Sequence, residues 1–205
     1  MNWTAMCGEI EPSRAEIRRR QITDAARKLF VENGFHATGM AQLARESGVR
    51  IGQIYRDFSS KEDIVAALVE TDCGRLMMYE QLDAAIRDGD SAAVRVWLHD
   101  FIDPGDSRDD GRLFAEIVAE SARNERIAAI FQSLQGNLRA HILAALELLA
   151  PGPEREERRA VMTESVMTLS LGMFQYRLMA PEREIAPVLA ALNRLLDREL
   201  TLLAA

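Results

Sequence analysis

Apolar residues recur three and four positions apart along nearly the whole chain, which is the spacing of one face of an α-helix. The alternation typical of a half-buried strand is almost absent. The first such stripe lies in residues 14–33 and comprises Ile17, Ile22, Ala25, Ala26, Leu29 and Phe30. Gly34 follows it, where a left-handed C-terminal cap is expected. The pattern therefore predicts an all-α protein whose first helix covers residues 14–33.

The same spacing predicts eight further helices, separated by clusters of Gly, Pro and Asp. They cover residues 40–47, 51–58, 60 to about 85, 92–102, 112–123, 126–149, 154–179 and 183–203. Ser60 is a candidate N-cap of the long fourth helix, because Asp63 stands three residues later in the capping-box position. No internal repeat or low-complexity segment interrupts this series of helices.

Residues 38–58 carry the side chains that two short helices need in order to cross steeply through a tight turn. Ala44 is small where the two helices approach, and Gly48 stands where the turn requires a positive φ. Apolar residues able to pack beneath the crossing follow at Leu43, Val49, Ile54 and Phe58. This spacing predicts a helix-turn-helix.

The distribution of charge points to nucleic acid, although the net charge of the chain is −7. Residues 14–61 contain ten Lys or Arg and five Asp or Glu, a balance of about +5, which leaves about −12 on the remainder. A basic segment joined to an acidic body suggests that one region meets phosphates while the other has a different role.

The second helix of the motif is the candidate reader, because one helix fits the major groove of B-DNA. Gln53 can pair with an adenine edge and an arginine with guanine. Thr38 offers a hydroxyl and a helix cap, and Lys61 lies at a helix start that favours anions. The candidate DNA-binding residues are Thr38, Arg50, Ile51, Gly52, Gln53, Tyr55, Arg56 and Lys61.

These segments resemble the DNA-binding domain of the TetR family of bacterial transcriptional regulators. The resemblance covers about 50 residues and includes 25–30 (AARKLF), 33–38 (NGFHAT), 47–49 (SGV), 54–55 (IY) and 60–62 (SKE). It implies a helix-turn-helix domain at 14–62 and a larger helical effector-binding and dimerisation domain at 63–205. It further implies a homodimeric repressor that binds palindromic operator DNA and is released by a small-molecule effector.

Two residues depart from the usual pattern of that family. Ile51 stands where a lysine is common, so an apolar contact, such as one with a thymine methyl group, replaces a polar one. Asp57 stands where a histidine or an aromatic residue is common, and an acid at this place would repel phosphates.

The last two predicted helices carry the candidate dimer interface, since the family pairs its last two helices in a four-helix bundle. Small residues permit close approach of the helices at two positions of the eighth predicted helix. The candidate residues are Ser165, Leu169, Gly172, Tyr176, Val188, Leu192, Leu195 and Leu196. Packing inside one subunit is the alternative explanation of these stripes.

Methionine and aromatic residues suit an adaptable apolar pocket, although any helical core contains them too. With two glutamates, the candidate effector residues are Met77, Met78, Trp97, Phe101, Phe114, Glu116, Glu120, Phe131, Phe174 and Tyr176. Glu116 and Glu120 share a helix face, and with His99 and His141 they could recognise a cation. The simpler interpretation is a solvated face and structural histidines, so neither a metal nor a cofactor is expected.

Two other classes of function stay open: a helical-bundle enzyme and a helical adaptor that binds protein. The common catalytic motifs, including GxGxxG, GxSxG and HExxH, are absent, which argues against an enzyme. An adaptor does not need the polar residues of the reader helix. Without a secretory signal or a membrane-length apolar run, and with Cys7 and Cys73 as expected free thiols, the predicted location is the cytoplasm.

Overall fold

The computed structural model describes residues 13–76, 78–103, 105 and 108–205, apart from the side chains of 72–76, 108 and 109. Every regular element in this part of the chain is a helix. The chain divides into two compact units, one reaching Leu68 and the other running from Val69 to Ala205. The division lies within the fourth helix, six residues after the expected boundary at 62.

The first unit contains α1 (Arg14–Asn33), α2 (Met40–Ser47), α3 (Ile51–Asp57) and the start of α4 (Lys61–Leu76). The bounds predicted for α1 and α2 are confirmed, and α3 ends one residue before its predicted end. Ser13 and Glu16 form a capping box that starts α1. Ile17, expected in the buried stripe of α1, is exposed instead, because the packed part of the helix begins at Ile22.

Glycines end α1 and α2 in two different backbone conformations. Gly48 has φ 70° and ψ 5°, the left-handed conformation that the turn was predicted to require. Gly34 also has a positive φ, 80°, but its ψ of 162° is extended rather than left-handed. The chain therefore leaves α1 through a conformation open essentially to glycine alone and turns Phe35 into the core.

Replacing Gly48 with Ala is expected to destabilise the first unit by about 1–2 kcal/mol. No atom lies within 4 Å of the added methyl group, so the cost comes from the backbone conformation and not from a clash. Hydrogen exchange of the α1 amides measures the change. Gly52→Ala is the matched control: Gly52 also has open space but lies in α3, so alanine should leave stability equal or slightly higher. Equal losses in both variants would contradict this explanation.

The predicted helix from residue 60 to about 85 is two helices in the structure. The Ser60–Asp63 capping box of α4 is confirmed by reciprocal hydrogen bonds of 3.2 and 3.3 Å. After Leu76 the helix stops, and α5 (Tyr79–Asp88) begins beyond Met78, whose φ of 46° is left-handed. Gly74 is the nearest glycine and still lies within α4, and the apolar spacing continues across the break, which is why the sequence predicted one helix.

The second unit continues with α6 (Ser91–Ile102), α7 (Arg108–Ser121), α8 (Glu125–Leu149), a 3₁₀ turn (Pro153–Arg155), α9 (Glu156–Met179) and α10 (Ala186–Ala204). Its core is built from α5, α6, α8, α9 and α10, with Leu98, Ile142 and Val166 among the fully buried residues. Buried Arg159 donates to the carbonyl oxygens of Ala150 (2.8 Å) and Gly152 (2.7 Å), which fixes the α8–α9 connection. Over the described residues, no helix is long and apolar enough to cross a membrane.

Candidate nucleic-acid interface and effector cavity

One face of α3 and its N-cap presents polar and apolar groups outward. Ile51 is 45% exposed and Tyr55 53% exposed, and Arg50, Gly52 and Arg56 are exposed beside them. On the opposite face Ile54 is fully buried, and Phe58, directly after the helix, is 2% exposed. Gln53 is half-buried at the margin between the two faces. The outward face therefore combines hydrogen-bonding, cationic and apolar groups on a helix of seven residues.

Thr38 lies inside the first unit. It is 1% exposed, and its hydroxyl donates to the carbonyl oxygens of Gly34 (2.9 Å) and Leu29 (3.2 Å). The cap of α2 is Gly39, whose amide donates to the Gln42 side chain at 2.7 Å. Thr38 therefore fixes the loop between α1 and α2 and is not the helix cap that the sequence suggested.

Lys61 also turns toward this loop. Its Nζ donates to the carbonyl oxygens of Phe35 (2.5 Å) and Thr38 (2.9 Å), and it lies 4.1 Å from the centre of the Phe35 ring. The hydrogen bonds from the lysine to these carbonyl oxygens and its cation–π contact both stabilise the geometry of this loop. In this structure the ammonium group joins the start of α4 to the loop before α2.

Asp57, the acid expected to repel DNA, is paired with α1. Its carboxylate accepts two hydrogen bonds from the Arg18 guanidinium, at 2.5 and 2.8 Å. These bonds from Arg18 hold the pKa of Asp57 below its ordinary value. Because the lowered pKa belongs to the folded state, the pair stabilises the fold at neutral pH, and this stabilisation is lost as the pH falls below about 4.

Sequence reasoning did not find this contact. Arg18 and Asp57 are separated by 39 positions, and no local spacing rule connects a basic residue in one helix with an acid two helices later. The only available signal was the unusual acid itself, which needed a partner if it was to lie near phosphates.

The second unit contains a cavity of about 270 Å³ with a mainly apolar lining from α6, α7, α8 and α9, together with Val69. Four of the predicted effector residues line it: Phe101, Phe114, Phe131 and Phe174. The Phe114 ring lies 5.8 Å from Phe131 and 5.1 Å from Phe174, between centroids. The aliphatic lining residues Leu113, Ile117, Leu134, Leu138, Met167 and Leu171 did not stand out in the sequence because they follow ordinary core spacing.

The other predicted effector residues lie elsewhere. Trp97 belongs to the packed core, where it stacks on Phe101 with centroids 5.3 Å apart. Tyr176 packs against the same core and accepts a hydrogen bond from Arg183. Met78, Glu116 and Glu120 are absent from the lining, and Met77 lies outside the described residues.

The histidines considered as cation ligands have other partners. His99 Nε2 lies 2.9 Å from an Asp197 carboxylate oxygen, which links α6 to α10. His141 stacks on Tyr79 at a centroid distance of 4.1 Å. Wherever the structure describes side chains, no group of three or more His, Cys, Asp or Glu is placed to hold a metal ion.

The candidate dimer residues fall into two groups. Ser165, Gly172, Val188 and Leu195 are exposed on α9 and α10, and Leu169, Tyr176 and Leu192 are half-buried. Leu196 is 2% exposed and belongs to the core of its own unit, so it is not available to a partner in this conformation. Val161, Leu171, Met179 and Leu202 enlarge the exposed apolar surface.

Comparison with known proteins agrees with this arrangement. Residues 22–68 match the model of the tetR family of bacterial regulatory proteins. The HTH-type transcriptional regulator HbdR of Aromatoleum sp. (strain CIB) is 47% identical over 55 residues, 27% of this chain and 24% of HbdR. The fatty acid metabolism regulator protein of Bacillus subtilis (strain 168) is 33% identical over 78 residues, 38% of this chain and 39% of that protein. The matched region thus spans about a quarter to two fifths of these relatives.

The fold extends the likeness beyond the matched region. Salmonella enterica GusR aligns with a TM-score of 0.70 at 20% identity, covering 92% of this chain and 98% of GusR. At that identity the likeness concerns the fold: a helix-turn-helix domain followed by a larger helical domain. Residues 22–68 are thus similar to the DNA-binding region of the tetR family, and the chain as a whole shares the fold of solved structures such as GusR.

Proposed function

We propose that this protein is a homodimeric, ligand-responsive transcriptional repressor that binds two-fold symmetric operator DNA through α3. The observation that carries the proposal is the division of α3 into a buried face and an outward face. Ile54 anchors the helix in the unit, while Arg50, Ile51, Tyr55 and Arg56 point away from it. A short helix with this division can enter a major groove without unfolding its own support.

The outward side chains suit base edges and phosphates in different ways. Arg50 and Arg56 can donate to guanine or to phosphate, and Gln53 to adenine. Ile51 offers an apolar surface to a thymine methyl group. Gly52 has no side chain, and the space beside it is open, so the backbone of α3 can approach the duplex closely.

Dimerisation through α9 and α10 supplies the second reading helix. A half-site read by one helix of seven residues carries little specificity, and a two-fold dimer doubles the length of DNA that is read. The groove between α9 and α10 is bordered by exposed Val161 and Leu195 and by Ser165, with the charged residues Glu157, Arg158 and Glu199 at its edge. An apolar surface with a charged rim is typical of an interface. Its proposed occupant is a second copy of this chain.

The cavity of the second unit is the proposed effector site. Four phenylalanines and seven aliphatic residues dominate its lining, so the ligand class that fits is a small, mainly apolar molecule. An effector that binds the DNA-free conformation a few kcal/mol more tightly than the DNA-bound conformation releases the operator. Repression is the common mode in the family and carries over on that resemblance.

Selection of bound sequences from a library of random duplexes, with the purified full-length protein at low salt, tests the DNA-binding function. We expect enrichment of one sequence with two-fold symmetry whose half-sites are about one helical turn apart. The variant Arg50→Glu/Arg56→Glu is the control and should enrich nothing. Failure of the unaltered protein to enrich any duplex would contradict the proposal. A reporter placed behind the enriched sequence distinguishes repression from activation.

The uncharged fluorescent probe N-phenyl-1-naphthylamine tests the cavity. We expect its fluorescence to rise on binding to the full-length protein, and we expect Leu134→Trp to reduce this rise about tenfold by filling the cavity. Val96→Trp is the matched control, because Val96 is exposed on α6 and is not part of the lining. Equal binding by both variants would place the probe elsewhere.

A further inference from the structure

The end of α3 is held by two consecutive arginines of α1. Arg18 donates from Nε and one terminal nitrogen to the two carboxylate oxygens of Asp57, which makes a bidentate fork. Arg19 donates to the backbone carbonyl oxygen of Asp57 at 2.8 Å, and its guanidinium carbon lies 4.3 Å from the centre of the Phe58 ring. Side chain, backbone and the following ring are therefore all held from the same turn of α1.

A helix of seven residues depends on such anchors for its position. Isolated helices this short do not form in water, so tertiary contacts determine where α3 lies. Ile54 is the only buried residue within α3, and Phe58 follows it by one turn. Together with buried Val49 just before the helix, these residues hold one side of α3 through apolar contacts, which are non-directional and constrain rotation of the helix about its axis less than hydrogen bonds do. The arginine contacts lie at its end and restrict this rotation.

The fork also explains how an acidic residue is tolerated at the C-terminal end of α3. A carboxylate at the C-terminal end of a helix meets the negative end of the helix dipole, and near DNA it would also meet phosphates. The side chains of Arg18 and Asp57 are 24% and 10% exposed, so the pair is largely withdrawn from solvent. Arg18 is thereby committed to Asp57, while Arg19 places a cation on the last carbonyl of α3, where the dipole favours it.

We infer that the Arg18–Asp57 fork, together with Arg19, is a positioning device that sets the orientation of α3 and thereby determines which bases its outward residues read. The inference rests on the proposed DNA-binding function. The inference differs from an ordinary DNA contact in one respect: Arg18 binds Asp57 and does not bind a phosphate. Loss of the fork should therefore reduce the preference for the selected operator over other DNA, rather than weaken binding to every duplex equally.

The variant Arg18→Lys separates these two roles. Lysine keeps the positive charge but cannot make the planar two-bond fork with a carboxylate. With the full-length protein, we compare affinity for the duplex enriched by selection with affinity for a scrambled duplex of equal length. We expect Arg18→Lys and Asp57→Asn each to lower the ratio of these affinities about tenfold. The double variant should be no worse than either single variant, because both remove the same contact.

Arg20→Gln is the control for simple loss of charge on α1. Arg20 is exposed two residues after Arg18, and its described hydrogen bond uses only its backbone carbonyl oxygen, which accepts from Thr23. We expect this variant to keep the ratio of affinities. An unchanged ratio in Arg18→Lys, or additive losses in the double variant, would overturn the inference. So would tighter binding of Asp57→Asn to both duplexes, because the acid would then act only by repulsion.

The proposed function and the inference fail in different ways. If the unaltered protein does not distinguish the selected duplex from the scrambled one, the proposed function fails and the inference fails with it. If the unaltered protein distinguishes them and the fork variants do so equally well, only the inference fails. Circular dichroism melting of each variant shows whether it is folded at the temperature of the binding assay, and Arg18→Lys, the mildest change, carries the decision.

Discussion

Raising the salt concentration from about 50 to about 200 mM is expected to weaken binding to the selected operator about a thousandfold. Arg45, Arg50 and Arg56 are exposed cations on α2, at the start of α3 and on α3, which gives about six in a dimer. Each phosphate neutralised releases counterions and contributes a slope of about −0.9 to the dependence of log affinity on log salt. Six contacts give a slope of about −5. Fluorescence anisotropy of a labelled duplex over this range of salt measures it.

The variant Arg56→Gln makes this prediction specific to the proposed surface. It removes about two of the six contacts in a dimer, so the slope should fall to between about −3 and −4. Arg87→Gln is the matched control, because Arg87 is an exposed cation of α5 in the second unit. It should leave the slope unchanged. Binding that does not respond to salt, or equal slopes in all three proteins, would rule out phosphate contacts by this surface.

Phe58→Ala is expected to destabilise the first unit by about 3–5 kcal/mol. Phe58 is 2% exposed and is among the largest fully buried side chains, so truncation leaves a cavity in a small core. It also removes the ring over which Arg19 lies. Hydrogen exchange of the amides of α1, α2 and α3 reports this loss separately from the second unit. Selective DNA binding should be lost together with the protection of these amides.

Tyr55→Ala is the matched control for that change. Tyr55 is an aromatic residue of the same helix but is 53% exposed, so its removal should alter amide protection by less than about 1 kcal/mol. Affinity for the selected duplex should nevertheless decrease, because Tyr55 belongs to the outward face. The two variants therefore separate support of α3 from contact with DNA. Similar losses of stability in both would contradict the division of α3 into a buried and an outward face.

Local rules were sufficient for the helices of the first unit. The capping box at Ser60 and Asp63 and the left-handed turn at Gly48 depend on neighbours within four residues, and both are confirmed. These local rules did not predict the break between α4 and α5. Met78 adopts a left-handed conformation that an L-amino acid rarely occupies, and no local spacing rule predicts it at this position.

The roles of the side chains around α3 were harder to predict from the sequence. From the sequence alone, Thr38 and Lys61 had the chemistry of phosphate ligands, since a hydroxyl and an ammonium group suit either DNA or a backbone carbonyl. In the structure both are bonded to carbonyl oxygens of the loop before α2. The interpretation of Asp57 also changes: from the sequence this acid was expected to repel phosphates, but in the structure its carboxylate is paired with the Arg18 guanidinium. Residue type limits what a group can bind but does not select the partner.

The sequence by itself determined the all-helical class and the helix-turn-helix, because these follow from the 3.6-residue period and from local capping. Only the tertiary structure decided which polar groups are used within the fold, which apolar residues line the cavity and which remain exposed on α9 and α10. These outcomes depend on contacts between residues far apart in the chain. A periodic pattern shows that a side chain faces inward. How the helices pack against one another decides whether that side chain contacts close-packed neighbours or lines a cavity.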